Sequence, residues 1–348
     1  MTARKPRSAL HHHLDFEQRL ARVSLGQLDP ALEHDLARVV IAMRIAGSTG
    51  EWLQRMRGGE HVPTFESHPG DFKTALDSEV EKIARRLVPN LDPGAVVIGE
   101  EDGPDPRASR ARVRYFIDPI DGTKNFINIG DDWCVSIAVE VDGVIVAAVA
   151  YQPGGRLQDA GTSRLPGVMY SAVLNGGAQV NGQPFRLVDR RIPLEQMTLQ
   201  TGWTPDRLVK AGQFTRAASL SVAFTDVIRM GSAVLGGIRA ARGDHIFFQG
   251  PLSPWDVLPV KLIAQEAGAT CALRELPYQR NNDRTFEILV GPAPLVKEVN
   301  RLLDESPWVF KGTSNEPLGG FAYDEIHVPP TVVRTTSRDP MVLTIRPR

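Results

Sequence analysis

The stretch Tyr115-Phe-Ile-Asp-Pro-Ile-Asp-Gly-Thr-Lys-Asn-Phe126 places two carboxylates, three residues apart, directly after an apolar run. Residues three apart in a straight strand point to opposite faces, so Asp118 and Asp121 can share one ligand only if the chain turns between them. The proline and the glycine of this stretch favour such a turn. The backbone amides of Gly122 and Thr123 can then face a phosphate. The stretch therefore predicts a strand that ends in a cation-binding corner.

Length and composition bound the kinds of protein that this chain can be. Its 348 residues can bury a large core and favour two domains. It is 42% hydrophobic and 23% charged, which is typical of a soluble globular protein. The formal net charge of -1 gives no general attraction to nucleic acid or to an anionic membrane. No apolar run reaches the ~18 residues that a membrane-spanning helix needs. We therefore expect neither nucleic acid nor membrane as a partner.

The cysteine content indicates the compartment. Cys134 and Cys271 are the only cysteines, and both lie in apolar surroundings, so we do not expect a disulfide framework. A reducing cytoplasm fits this usage best. The basic N-terminus is not followed by an apolar signal region, which agrees with a cytoplasmic protein.

Local patterns predict an alternation of helices and strands. Residues 31 to 57 and 76 to 87 have helical patterns, and a short strand at 95 to 98 ends at Gly99-Glu100-Glu101. Residues 112 to 188 contain strands and turns, among them a hairpin with Asp142-Gly143 at its tip. The later predicted elements are a strand at 197 to 201, a helix at 233 to 241, a strand at 245 to 248 and a helix at 256 to 267.

Acidic residues stand where these predicted elements meet. Glu100 follows a strand, Asp118 and Asp121 flank the corner, and Asp256 begins a helix. Each alone would be a solvated loop charge or a helix cap. Together they supply about four negative charges, close to the charge of two Mg²⁺ ions, which prefer oxygen ligands. Without metal, four converging carboxylates would repel one another. Their combination therefore predicts a two-metal phosphate site.

Seven short motifs follow one another along the chain. They are, in order, Asp71-Phe-Lys-Thr-Ala-Leu-Asp77, Gly99-Glu100-Glu101, Asp118-Pro-Ile-Asp-Gly-Thr123, Gly177-Ala-Gln-Val-Asn-Gly182, Gly231-Ser232, Trp255-Asp256 and Glu266-Ala-Gly268. Taken together, they resemble the inositol monophosphatase family of Mg²⁺-dependent phosphomonoesterases, over roughly residues 36 to 300. That family is related to fructose-1,6-bisphosphatases and 3'-phosphoadenosine phosphatases. The resemblance implies a mixed α+β and α/β fold, a layered αβαβα sandwich of the sugar phosphatase type.

The resemblance also implies a metal centre of two or three Mg²⁺ ions. Its implied metal ligands are the carboxylates of Glu100, Asp118, Asp121 and Asp256 and the backbone carbonyl of Ile120. It further implies direct attack on the phosphate by a metal-activated water, without a phosphoenzyme. Metal binding lowers the pKa of water, which makes hydroxide available near neutral pH.

The remaining implied roles concern the phosphate and the attacking water. The amides of Gly122 and Thr123 are expected to bind the phosphate. A threonine hydroxyl, of either Thr74 or Thr123, helps to hold the water, and Asp77 supports it. Among these, the resemblance favours Glu100, Thr123 and Asp77 as the catalytic residues.

The part of the sequence that would bind the substrate departs from the family pattern. Inositol phosphatases commonly have a Glu seven residues before the Trp-Asp aspartate, where this chain has Gln249. An amide both donates and accepts, whereas an ionised carboxylate only accepts, so Gln249 leaves the substrate open. Bulkier residues, 257 to 260, replace the small ones that usually follow Trp-Asp. Lys124 either adds a positive charge beside the phosphate or is an exposed helix lysine.

The expected regions follow from these assignments. They are an N-terminal extension (1–35), an α+β domain with an antiparallel sheet and most of the metal ligands (36–190), an α/β domain that contributes Asp256 (191–306), and a C-terminal extension (307–348). Aromatic residues such as Phe310 and Phe321 favour docking of the last region over full disorder.

The predicted function is hydrolysis of a small phosphorylated polyol or sugar, with an inositol-phosphate-like monoester ranked first. Histidinol phosphate, 3'-phosphoadenosine phosphate and fructose-1,6-bisphosphate are alternative substrates. A weakly catalytic binding or regulatory protein is the alternative from another class. The retained acidic set argues against it, because four mutually repelling carboxylates would be lost without a function. The resemblance further implies a homodimer and inhibition by lithium.

Overall fold

The computed structural model describes residues 30–57, 64–68, 71–101, 105–154, 167–188, 191–202, 220–280 and 283–305. The C-terminal extension at 307–348 and residues 1–29 lie outside the described residues. The predicted docking of that extension, and the predicted domain boundaries, stay predictions.

The described chain alternates short helices with strands. In chain order the elements are α1 (Pro30–Met56), β1 (Thr64–His68), β2 (Asp71–Thr74), α2 (Ala75–Leu91), β3 (Val96–Gly99), β4 (Val113–Asp121), α3 (Thr123–Ile127), β5 (Cys134–Val141), β6 (Val144–Gln152), β7 (Val168–Val173), β8 (Gly177–Val180), β9 (Gln183–Phe185), a 3₁₀ turn (Leu194–Gln196), β10 (Thr198–Gln200), β11 (Asp226–Ile228), α4 (Ala233–Ala241), β12 (Ile246–Leu252), α5 (Pro254–Glu266), β13 (Thr270–Arg280), β14 (Asp283–Gly291) and α6 (Ala293–Glu305).

Two large sheets organise the molecule. The seven-stranded sheet has the order β3-β4-β5-β6-β7-β8-β9, and its strands are antiparallel except for the parallel pair β3 and β4. The five-stranded sheet has the order β11-β10-β12-β14-β13, in which β10 runs parallel to both β11 and β12. A separate antiparallel ribbon consists of β1 and β2.

Helices separate and cover these sheets. The first core packs α1 and α2 against one face of the seven-stranded sheet. The second core places α4 and α5 between the two sheets. The third packs α6 on the outer face of the five-stranded sheet. The layers therefore follow the order helix, sheet, helix, sheet, helix, which confirms the predicted αβαβα sandwich.

The central hairpin shows why the local patterns predicted these strands. Strands β5 and β6 are almost wholly buried because helices cover both faces of their sheet, so they appear in the sequence as continuous apolar runs. At the tip, Asp142 and Gly143 have φ values of 50° and 87°. Positive φ at both central residues is what a two-residue hairpin turn requires, and the predicted turn is confirmed.

The predicted corner after Ile117 is wrong in detail. Strand β4 continues to Asp121, and its register with β5 shifts between the pairs Asp118–Ser136 and Asp121–Cys134. Three steps along β4 match two along β5, so one extra residue is inserted as a β-bulge. The bulge moves the side chains that follow it to the other face, and so allows carboxylates three residues apart to meet.

Other predicted boundaries need correction in the second half of the chain. Strand β12 continues to Leu252, and α5 begins at Pro254 with Ser253 as its N-cap, so Asp256 is the third residue of the helix. The Ser253-Pro-Trp-Asp256 pattern is itself a capping box, which explains this earlier start. The sequence patterns did not identify the hairpin of β13 and β14, helix α6, or the ribbon of β1 and β2.

The structure also tests the expectations about membrane-spanning helices and disulfides. Within the described ranges, no helix has the length and apolar character needed to cross a membrane. Both cysteines are free thiols, Cys134 buried and Cys271 partly buried.

Candidate functional site

The carboxyl ends of β3 and β4 bring the first acidic residues together. These strands are parallel, and Gly99 pairs with Ile117, so Glu100 leaves its strand beside Asp118. Asp118 and Asp121 lie on β4 and are only 4% and 6% exposed. The bulge between them directs both into the interior, where an unpaired charge is costly.

A cluster of three aspartates lies where the end of β4 approaches the first turn of α5. Asp118, Asp121 and Asp256 each present a carboxylate oxygen, and these oxygens all lie within 4.8 Å of one another. Asp256 comes from the first turn of α5, which follows β12 of the other sheet. Glu100 lies outside this group, although its charge is felt by Asp118. We call Asp118, Asp121 and Asp256 the aspartate cluster.

The aspartate cluster has excess negative charge. Burial raises the pKa of Asp118 well above its usual range, and the charges of Glu100, Asp121 and Asp256 raise it further. Burial also raises the pKa of Asp121 to about 6, although several donors oppose this rise. Carboxylate oxygens that lie this close together and repel one another suit a hard divalent cation such as Mg²⁺, so the donor set fits the metal that the sequence resemblance implies.

Asp121 has a second function that the sequence patterns did not reveal. Its carboxylate accepts hydrogen bonds from the backbone N–H of Ala233 (3.1 Å) and Val234 (3.1 Å) and from the hydroxyl of Ser232. The thiol of Cys134 lies 3.6 Å from the same carboxylate. Asp121 thus binds the unpaired amides at the start of α4, where the helix dipole favours negative charge. The Gly231-Ser232 motif is the only part of the sequence pattern that could have indicated this contact.

The turn after the bulge has the features expected of a phosphate-binding loop. The N–H of Ile120 donates to Asp118 (2.9 Å), and the hydroxyl of Thr123 donates to the Ile120 carbonyl (3.0 Å). Gly122 precedes α3 with a φ of 91°, and a Cβ there would lie 2.8 Å from the Asp132 carbonyl oxygen. Only glycine therefore fits, and the Thr123 amide belongs to the first turn of the short helix.

Asp77 is buried at the start of α2 and pairs with Thr74. The Thr74 hydroxyl donates to Asp77 (2.6 Å), and the Thr74 N–H donates to the same oxygen (2.9 Å). Thr74 also accepts from the N–H of Leu76 (3.1 Å). Thr74 and Asp77 together form a capping box at the start of α2. Burial raises the pKa of Asp77 to about 6. Within the described chain, no hydrogen bond joins Asp77 to Thr123.

Replacing Thr74 by Ala is expected to lower the free energy of unfolding by about 1 kcal/mol, because α2 loses its N-cap hydroxyl. Urea unfolding monitored by circular dichroism would measure the change. Thr74→Ser keeps the hydroxyl and should remain close to wild type. Equal stability of the Ala variant and wild type would contradict a stabilising role of this capping box.

The predicted substrate-contacting residue, Gln249, lies on β12, partly buried, seven residues before Asp256. Its amide packs against Gly202, where an added Cβ would lie 2.3 Å from Gln249 Oε1. Lys124 is exposed on α3. The substrate contact of Gln249 stays a prediction.

One of the bulky residues after Asp256, Val260, packs against a glycine of α4. Val257 and Val260 are buried. A Cβ on Gly237 would lie 2.4 Å from the Val260 side chain. The small residue at this contact is therefore Gly237 on the facing helix α4, and the two helices can pack closely behind the aspartate cluster.

Polar contacts that the sequence did not predict tie the two halves of the site together. Asn125 of α3 donates to the carbonyls of Asp132 (2.6 Å) and Met230 (2.7 Å). Arg57, at the end of α1, donates to the carbonyls of Phe126 (2.7 Å) and Asn125 (3.0 Å). These bonds hold the loop before α4, and the residue that follows α1, against α3. Nothing in the local pattern indicated them, because the partners are far apart in the chain.

The Glu266-Ala-Gly268 motif has a structural role in this fold. Glu266, the last residue of α5, accepts hydrogen bonds from the N–H groups of Asn175 (2.8 Å) and Gly177 (2.8 Å). It thereby fixes the turn between β7 and β8 against the helix that carries Asp256.

Comparisons with known proteins agree with this geometry. A sequence model of the inositol monophosphatase family matches residues 35–282. An inositol-1-monophosphatase from Mycobacterium leprae is 34% identical over 237 residues, covering 66% of this chain and 76% of that protein. A protein named Nus factor SuhB from Vibrio cholerae is 30% identical over 233 residues, covering 66% and 82%. The structure of extragenic suppressor protein suhB from Bartonella henselae aligns with a TM-score of 0.65 at 24% identity, covering 76% of this chain and 97% of that one.

Proposed function

Because this chain belongs to the inositol monophosphatase family, we propose that it is a Mg²⁺-dependent phosphomonoesterase for a small phosphorylated polyol or sugar. The observation that carries the proposal is the aspartate cluster, in which the buried Asp118 and Asp121 of β4 and the partly buried Asp256 of α5 present carboxylate oxygens within 4.8 Å of one another. Such a group of like charges is costly to bury without a cation, and without a cation it would also repel a phosphate.

The proposed metal ligands are the aspartate cluster, Glu100 and the carbonyl of Ile120, which together would hold two or three Mg²⁺ ions. Bound Mg²⁺ lowers the pKa of water and offsets the negative charge that builds on the transferring phosphoryl group. Asp118 is already oriented by the Ile120 N–H, and Asp121 by the N-terminus of α4. The ligands therefore need little rearrangement to bind.

The other proposed roles concern hydrogen bonding to phosphate and water. The N–H groups of Gly122 and Thr123 would bind the phosphate. The Thr123 hydroxyl donates its proton to the Ile120 carbonyl, so its oxygen can accept a hydrogen bond from the attacking water. Thr74 is less suited to this task, because it already donates to Asp77 and accepts from Leu76. Asp77 would help to position the site through its hydrogen bonds with Thr74.

Two observations order the candidate substrates. The mycobacterial relative is named an inositol-1-monophosphatase, which supports a polyol phosphate as the first choice. Gln249 keeps histidinol phosphate, 3'-phosphoadenosine phosphate and fructose-1,6-bisphosphate as alternatives. A weakly catalytic binding or regulatory protein is the second candidate function, because another relative is named a Nus factor. A homodimer, a cytoplasmic location and inhibition by lithium are parts of the same proposal.

A phosphate-release assay with and without Mg²⁺ separates these candidates. The panel contains inositol 1-phosphate, sugar phosphates and the three alternative substrates named above. We expect Mg²⁺-dependent release of inorganic phosphate, highest for a polyol or sugar monoester and abolished by a chelator. Absence of Mg²⁺-dependent release from every member would favour the binding or regulatory protein instead.

A further inference from the structure

A buried carboxylate that the proposed mechanism does not use lies beneath the loop that carries Glu100. Glu81 is on α2, one turn after Asp77, and its exposure is 0%. Burying an ionised carboxylate costs several kcal/mol unless it is paired and hydrogen-bonded. The contacts of Glu81 therefore indicate what this buried carboxylate does.

Glu81 joins a helix side chain to the backbone of the loop. Its Oε2 accepts the N–H of Glu101 (2.8 Å), and its Oε1 accepts from Nε (3.0 Å) and Nη2 (2.5 Å) of Arg85. Arg85 in turn donates from Nη1 to the carbonyl of Val97 (3.1 Å). The Glu81–Arg85 pair thus binds the backbone both before and after Glu100.

The packing at Gly99 makes this contact tight. A Cβ at Gly99 would lie 2.2 Å from both Cδ and Oε2 of Glu81, so the carboxylate lies directly against the backbone at the end of β3. Glu100 is the next residue, and Glu101 follows with its N–H bound to the same carboxylate. Both neighbours of Glu100 are therefore held by Glu81.

A second ion pair holds the far side of the loop. Nζ of Lys73, on β2, lies 3.0 Å from Oε2 of Glu101, and the side chains are 17% and 5% exposed. Pairs that are this well buried are screened little by solvent. The loop is therefore bound to α2 from beneath and to β2 from the side.

We propose that Glu81, oriented by Arg85, is a positioning residue that sets the place of the metal ligand Glu100. This inference rests on the proposed function, because the metal-binding role of Glu100 is part of it. Glu100 lies outside the aspartate cluster, so its contribution to a metal ion depends on where the loop holds it. Residues that orient metal ligands without touching the metal typically change metal affinity about 10- to 100-fold when they are replaced.

Matched substitutions of two carboxylates, one within α2 and one at its C-terminal cap, test the inference. Glu81→Ala removes both contacts, whereas Glu81→Gln retains an oxygen that can accept the Glu101 N–H. The controls are Asp92→Ala and Asp92→Asn, because Asp92 is the C-cap of α2 and is bound by Arg38 (3.0 Å) and Tyr115 (3.0 Å). The readouts are calorimetric titration with Mg²⁺ alone, amide hydrogen exchange of residues 97–101, and thermal melting.

We expect Glu81→Ala to weaken Mg²⁺ binding about tenfold and to speed exchange of the Glu101 N–H, with a smaller effect of Glu81→Gln. The Asp92 variants should lower the melting temperature and leave Mg²⁺ affinity unchanged. Wild-type Mg²⁺ affinity in a folded Glu81→Ala variant, or an equal loss in the Asp92 variants, would overturn the proposal. If Glu81→Ala does not fold, Glu81→Gln and Arg85→Lys give the same comparison.

The calorimetric readout separates this inference from the proposed function. If wild type binds Mg²⁺ and Glu81 variants bind it more weakly, the positioning role holds even when no substrate is hydrolysed. If wild type hydrolyses phosphate monoesters but the Glu81 variants bind Mg²⁺ as wild type does, only the positioning role fails.

Discussion

Asp118→Asn is expected to lower Mg²⁺-dependent phosphate release by about a hundredfold or more, the scale seen when one electrostatic stabiliser of a transition state is lost. Asparagine can keep the oxygen that accepts the Ile120 N–H, so the backbone of the bulge should persist. The change removes one negative charge from the aspartate cluster and with it a proposed metal ligand. Initial rates over a range of Mg²⁺ concentrations would measure the loss.

The same variant is expected to be at least as stable as wild type when metal is absent. Burial and neighbouring charges raise the pKa of Asp118. At a pH above the ordinary pKa of a carboxyl group, ionised Asp118 therefore lowers the stability of the folded state. A neutral amide removes that penalty. Thermal melting with a chelator would show this. Asp142→Asn, at the exposed hairpin tip, is the matched control and should leave activity unchanged. Near-wild-type turnover of Asp118→Asn would exclude Asp118 as an essential ligand.

Asp121→Asn is expected to cause a comparable loss of activity and, in addition, a loss of stability. Its carboxylate accepts from the N–H groups of Ala233 and Val234 and from the Ser232 hydroxyl. An amide has one accepting oxygen, and its NH₂ group would face a donor. Leaving such a buried group unsatisfied costs about 1–3 kcal/mol. Urea unfolding and phosphate release, measured on one preparation, would show both effects.

Ser232→Ala separates the two functions of Asp121. It removes one donor to the carboxylate and leaves the charge in place, so it should lower stability while most of the Mg²⁺-dependent activity remains. A similar activity loss in Ser232→Ala and Asp121→Asn would indicate that the helix contact, rather than metal binding, accounts for the effect. Normal turnover of Asp121→Asn at saturating Mg²⁺ would remove Asp121 from the ligand set.

The elements that the sequence predicted well depend on nearby residues. Helix α4 begins at Ala233 and ends at Ala241, as its pattern indicates, and the Asp142-Gly143 turn has the predicted backbone conformation. The hairpin of β13 and β14 was missed, although it is the longest hairpin among the described residues. Its strands mix polar and apolar residues without regular alternation, so periodicity alone did not identify them.

The features of the candidate site also fall into those that the sequence predicted and those that it did not. The residue types and their order along the chain predicted a cation site made of carboxylates beside a glycine-threonine turn, and the family resemblance implied an attacking water. These predictions depend on the chemical groups themselves and do not require their positions in space. Their mutual placement depends on sheet register and on contacts between distant segments. Asp118 and Asp121 face one another because a bulge opposite β5 adds one residue, and Asp256 joins them because α5 packs between the sheets.

By itself, the sequence determined the chemical groups and many of the local elements, and the order of its motifs indicated the family, whose resemblance implied the layered fold. Only the tertiary structure decided that Asp121 also caps α4 and that Glu81 lies beneath the loop of Glu100. The physical reason is that each of these hydrogen bonds joins segments far apart in the chain, so its geometry depends on how complete elements pack. Residue preferences describe what a side chain can bind, and packing selects which partner it meets.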